Sequence, residues 1–151
     1  MVLSGRDVQL YMEAGKLQIS PVAAHQFQQN GVDLILKAFE HQRYWPGTNR
    51  EMFSLGVTNE TLHLPNDLMA FVELRSSWAR RGFLLPPTIV DAGFVGELTL
   101  EIMNFGMDPL ASAVGERFAH LIFAKTSGPC VEYAGKYQNQ TGITGARPDI
   151  G

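Results

Sequence analysis

The sequence predicts a domain of the all-β class, and three observations carry that expectation. Glycine and proline, 15 and 8 of the 151 residues, punctuate the whole chain. Between them the apolar residues fall in short runs, many of them alternating or β-branched, with no long stretch of helix formers. At 45% hydrophobic and 18% charged, the chain can bury one real core and is too short for a second full-size domain, so residues 1–151 read as one unit.

The elements follow in order. Ser4 precedes Gly5, Arg6 and Asp7, and apolar Val8, Leu10, Tyr11 and Met12 run on to Gly15, the pattern of a capped helix with a glycine stop. LQIS before Pro21, VDLIL from Val32 and the alternating ETLHLP from Glu60 each predict a strand. The turn-rich stretch from Arg43 to Met52 predicts a loop. DLMAFVEL, residues 67 to 74, is read as a strand, followed by a short helix over Ser76 to Arg81 that Gly82 closes. Leu84 and Leu85 cannot continue as a central strand, because Pro86 and Pro87 bring no ladder donor. TIVDAGFVGELTLEIMN then predicts a hairpin with its turn at Asp91-Ala92-Gly93 and a long second strand. PLASAV and RFAHLIFAK are two more apolar stretches. From Ser127 the chain is rich in Gly, Gln, Asn and Tyr and has little to bury, so residues 127–151 read as an arm or tail.

Charge and cysteine content exclude several classes. Twelve Lys and Arg against 15 Asp and Glu give a formal charge of -3 with no basic cluster, which argues against a nucleic-acid partner while leaving a small anionic ligand open. The lone Cys130 can form neither an internal disulfide nor a cysteine-rich zinc site, and is read as a small buried hydrophobe of an intracellular, cytoplasmic protein. Acidic residues stand where a signal peptide needs an apolar run, and no stretch of about twenty apolar residues exists, so no membrane partner is expected. His25, His41, His63 and His120 are dispersed without ligand spacing and are read as structural or surface residues.

Three places interrupt the apolar pattern with polar residues. In LRSSWARRG, serine hydroxyls at the start of a short helix, with Arg75 and Arg80 beside them, suit a phosphate; a plain helix cap with surface arginines gives the same string. On GELTLEIMN, period two puts Glu97, Thr99 and Glu101 on one face and Leu98, Leu100 and Ile102 on the other. Glu101 is then either a solvated residue or, on a pocket wall, a carboxylate suited to moving protons near neutral pH. In YAGKYQNQTG, Lys136 and Gln140 could hold phosphate oxygens, in a segment whose composition also fits a flexible tail.

Taken together, the ordered segments resemble the dCTP deaminase family of the dUTPase-like superfamily. The opening VLSGRDVQLYMEAGKLQISP is similar to that family's N-terminal helix and first strand, and GVDLIL to its S-V-D-x-R-L segment. TNETLHLPNDLMAFVELRSSWARRG resembles its T-x-E-x-x-x-L-P-x-D-L…RSSxxRxG stretch, VDAGFVGELTLEIMN its I-D-x-G-[FW]-x-G-x-[IL]-x-L-E motif, and KYQNQTG its K-Y-x-x-Q-x-G tail. GERFAHLIF is similar to G-x-R-[IF]-A-Q-L-x-F, with His120 in place of glutamine.

The resemblance implies a distorted β-barrel or jelly-roll with one N-terminal and one short internal helix, a homotrimer with active sites between subunits, and Mg²⁺ carried on a deoxyribonucleoside triphosphate, without protein-bound zinc. It implies deamination of dCTP to dUTP and ammonia, with Glu101 as general base and acid and with Ser76 and Arg80 orienting it and the water. Arg75, Ser77, Lys136 and Gln140 would hold phosphates, with Tyr133 in the same group, and Asp91 the sugar; Phe94, of the same motif as Asp91, would also contact substrate. FLLPPTIV replaces a longer H-x-T-A segment that helps choose the base. Three alternatives stay open: a dUTP diphosphatase with Asp91 activating water, a bifunctional enzyme, and a nucleotide sensor without turnover.

Overall fold

Helix α1 (Gly5–Glu13) starts at the cap its sequence provides. Ser4 Oγ accepts from Asp7 N at 3.0 Å, and the Asp7 carboxylate accepts from Ser4 N at 3.0 Å, closing a reciprocal capping box. Its buried Val8 faces the core. The strands follow as β1 (Gln18–Ser20), β2 (Phe27–Gln28), β3 (Gly31–Tyr44), β4 (Glu51–His63) and β5 (Leu68–Leu74), then helix α2 (Ser76–Ala79), then β6 (Phe83–Leu84), β7 (Thr88–Val90), β8 (Val95–Asn104) and β9 (Arg117–Lys125). This computed structural model describes residues 1–149; the last two residues of the expected arm lie outside the described residues.

The strands join in one curled antiparallel sheet of order β6-β8-β4-β3-β9-β5-β7, with β1 on β4 and β2 on β3. The all-β, two-helix expectation therefore holds. The curl arises in β3, which pairs with β9 through Val32–Ile35 and with β4 from Leu36 onward. Leu34, Leu36, Leu62, Leu100, Ile102, Phe118 and Phe123 fill the inside and are at most 2% exposed. Gly56 lies where β3, β4 and β8 meet. A Cβ there would come within 2.7 Å of Leu36 Cδ1 and 2.8 Å of Ile102 Cδ1, so any larger residue must push these two core side chains aside.

Several expectations are corrected. Residues 88–104 do not form a hairpin: β7 pairs with β5 and β8 with β4 and β6. The turn at Asp91-Ala92-Gly93, with Gly93 at φ +84°, instead carries the chain from one part of the sheet to another. An apolar run, a turn and a second run read alike in both cases. The expected 43–52 loop narrows to residues 45–50, because β3 continues to Tyr44 and β4 begins at Glu51. Helix α2 covers Ser76–Ala79 and ends in Arg80 as its cap. Cys130 is exposed, not buried. Among the described residues no helix is long and apolar enough to cross a membrane.

Candidate active site

Two cavities take up most of the residues singled out in the sequence. The first, of about 510 Å³, lies where the β4–β8 part of the sheet faces the β5–β7 edge and the C-terminal segment. Its walls include Asp91, Phe94, Glu101, Tyr133 and Gln140. Strand β8 alternates as expected: Leu98, Leu100 and Ile102 point into the core, and half-buried Thr99 and Glu101 point to the cavity, Glu101 standing across from Leu55 of β4. Glu101 is thus a wall residue among apolar neighbours rather than a fully solvated one.

The turn after β7 is held by the C-terminal segment. Gln138 Oε1 accepts from Val95 N at 2.8 Å, and its Nε2 donates to Gly93 O at 3.0 Å and Tyr133 O at 2.9 Å. Buried Phe94 meets the Tyr133 ring at 5.9 Å between centroids. A Cβ on Gly93 would lie 2.8 Å from Tyr133 N, so that glycine lets the segment approach. Gln140 is 8% exposed, and its Nε2 donates to Glu97 O at 2.8 Å. Thr144 N donates to Thr99 Oγ1 at 3.1 Å, so the segment runs along the face of β8 that carries Glu101. Lys136 Nζ donates to Asp149 Oδ1 at 2.6 Å and to Arg147 O at 2.9 Å. The Asp149 carboxylate raises the Lys136 pKa above its ordinary value, and Lys136 lowers that of Asp149.

The second cavity, of about 240 Å³, holds Arg75, Ser76, Asp33 and His120 and shares no lining residue with the first. Trp78 anchors this corner: it is 7% exposed, packs its ring against Phe83 and Phe118, and donates from Nε1 to Arg117 O at 2.9 Å. Arg75, at the start of α2, therefore sits at a fixed place beside Asp33. Ser77 and Arg80 are exposed on the same short helix and line neither cavity.

Sequence reasoning passed over Asp33, Arg117 and Gln138 and read His120 as structural or surface. Asp33 is 1% exposed and receives Arg75 Nε at 2.9 Å, Arg117 NH1 at 3.3 Å and His120 Nδ1 at 2.8 Å. The available signal was a lone carboxylate inside the apolar run VDLIL. Among the described residues no group of three or more His, Cys, Asp or Glu side chains converges to hold a metal ion.

Comparison with known proteins places this arrangement. Residues 47–126 match the family model described as dCTP deaminase-like. A protein of Sulfolobus islandicus rod-shaped virus 1 named probable deoxyuridine 5'-triphosphate nucleotidohydrolase is 43% identical over 99% of this chain and 100% of its own length. A dCTP deaminase of Hyperthermus butylicus is 38% identical over the same shares. Among solved structures, the 2'-deoxycytidine 5'-triphosphate deaminase of Agrobacterium tumefaciens has the same fold, with a TM-score of 0.62 at 20% identity. That match covers 81% of this chain and 47% of the other, so the chain spans about half its length. The dUTPase of Staphylococcus bacteriophage 80alpha superposes with a TM-score of 0.52 at 14% identity over 86% of this chain and 98% of that one. On a family match over more than half its residues, and on relatives that agree with it end to end, the chain belongs to the dCTP deaminase-like family.

Proposed function

We propose that this protein is a hydrolase that converts dCTP and water to dUTP and ammonia. The observation that carries the reading is the position of Glu101, half-buried in the wall of a largely apolar cavity whose rim also carries Asp91 and Tyr133. Attack of water at the amino-bearing ring carbon needs a base first and an acid afterwards. One carboxylate can take the water proton, deliver it to the ring nitrogen and return a proton to the departing ammonia, a role typically contributing about 10²–10⁴-fold in rate. Asp91 and Phe94 are assigned to the sugar side.

Ser76 and Arg80, which would orient the water and the carboxylate, stand with Arg75 and Ser77 at α2, away from the Glu101 cavity. We infer that the complete site forms between copies of the chain, in a homotrimer, with α2 of one copy facing the Glu101 cavity of the next. Arg75, Ser77, Lys136 and Gln140, with Tyr133, would then meet the triphosphate, and Mg²⁺ would arrive on its oxygens as part of the substrate. The nucleotide substrate and the lone thiol support a cytoplasmic setting.

A second reading is favoured by one observation. The viral relative that matches over its full length is named for action on deoxyuridine triphosphate, which points to hydrolysis of dUTP to dUMP and pyrophosphate, with Asp91 activating water, alone or after deamination. Incubation with Mg²⁺ and either dCTP or dUTP, followed by chromatography of the nucleotides, separates the readings. Formation of dUTP or dUMP from dCTP supports deamination, and the absence of both overturns it. Formation of dUMP from dUTP establishes the second activity.

A further inference from the structure

The small cavity beside α2 holds a device that the reaction itself does not require. Asp33, 1% exposed, uses both oxygens: Oδ2 receives Arg75 Nε at 2.9 Å and Arg117 NH1 at 3.3 Å, and Oδ1 lies 2.8 Å from His120 Nδ1. A carboxylate oxygen can only accept, so Nδ1 carries the hydrogen. That assignment fixes the tautomer. While His120 is neutral, Nε2 presents a bare lone pair; it becomes a donor only when the ring takes up a second proton. Nε2 makes no hydrogen bond within the described residues, and no buried side-chain nitrogen or oxygen there lacks a partner, so Nε2 keeps access to solvent on a residue that lines the cavity.

The charged groups around the ring come from each neighbouring strand. Asp33 of β3 and Glu73 of β5 are its cross-strand partners on either side, and Arg75 and Arg117 complete the set. Two carboxylates stand against two guanidinium groups before any ligand enters. An arriving phosphate adds several negative charges next to Nε2, and its ionised oxygens accept from the ring. Both effects favour the imidazolium.

We propose that His120 is an anion-binding residue, and that a phosphate chain entering this cavity draws one proton from solvent onto Nε2, which then donates to a phosphate oxygen. The proposal rests on the triphosphate reading above and deepens it. Only an N–H bond is made and later broken: the proton comes from the buffer and returns to it when the anion leaves. The glutamine of the motif that GERFAHLIF resembles has a neutral amide and cannot do this, so the coupling is a property of His120. Affinity for triphosphate then falls as pH rises wherever binding draws that proton, by at most about tenfold per unit.

Titration calorimetry on the full-length protein tests the coupling. The probes are α,β-imido-dUTP with Mg²⁺, which can be neither deaminated nor cleaved at the α,β bridge, and inorganic tripolyphosphate. Each is measured in two buffers of different ionisation enthalpy between about pH 6 and pH 8. The wild-type protein is expected to take up more protons than H120Q within this range, and H120Q to bind with a flatter pH profile. The difference between the two proteins removes proton exchange on the phosphate itself. Equal uptake by both, or no uptake by the wild type, overturns the proposal. If tripolyphosphate binds with His120-dependent uptake and the nucleotide does not bind, the nucleotide reading fails and the anion site stands; if neither binds, the anion site is overturned.

Discussion

Arg75 Nε lies 2.9 Å from Asp33 Oδ2, a carboxylate that is 1% exposed. The aspartate is placed by an apolar strand and the arginine by a turn anchored on Trp78, so a residue expected to bind substrate is positioned from within the core. Asp33→Asn removes the charge that holds Arg75, Arg117 and His120 together. Because both guanidinium groups keep partial access to water, the expected loss is about 2 kcal/mol of stability. A denaturant titration checks it. Arg75→Ala is expected to raise KM for the triphosphate at least about tenfold, since it deletes a charge-assisted bond.

If the site is shared between copies, Ser76→Ala and Glu101→Gln fail in different places. Each variant alone is expected to be inactive. Refolded together in equal amounts they should regain roughly a quarter of wild-type activity, the fraction of sites that receive both intact residues when chains associate at random. No recovery in mixed oligomers contradicts a shared site.

Lys136 is held by Asp149 at 2.6 Å, so the expected phosphate ligand already has an anionic partner. That pair is exposed and worth little. Asp149→Asn is therefore expected to lower KM by about two- to fivefold and leave kcat unchanged. Steady-state kinetics on the single variant decides it.

Much of this was readable in the sequence. The helix cap at Ser4, the strand up to Leu74 and the alternation that turns Glu101 away from Leu100 and Ile102 all follow from local rules. What could not be read was partnership. Nothing local to TIV and GELTLEIMN says that they pair with β5 and β4 rather than with each other, and nothing near His120 says that Asp33, 87 residues away, meets its ring. The division of the site residues between two cavities is likewise a long-range fact.

Glu60 was read only as part of a strand. It is 0% exposed and accepts from Gln26 Nε2 at 2.8 Å and from Ile35 N at 3.1 Å. Burial raises its pKa, outweighing the hydrogen bonds that lower it. The fold thus favours protonation of Glu60 more than the unfolded chain does. Its stabilising contribution is complete below the unfolded carboxyl's pKa and is lost as pH rises through the higher folded value. Melting temperatures of wild type and Glu60→Gln at about pH 5 and about pH 8 should diverge, with the wild type losing more on the alkaline side. A constant difference contradicts it.

If Glu101 moves the protons of a deamination, its replacement must stop the release of ammonia. That requirement is tested most directly by measuring ammonia released from dCTP in the presence of Mg²⁺ by wild type and Glu101→Gln, with nucleotide binding measured on both. Expected are ammonia and deoxyuridine nucleotide in equal amounts from the wild type, none above background from the variant, and similar affinity for dCTP in the two. Ammonia release that survives in Glu101→Gln, or none from a wild type that binds dCTP, would contradict it.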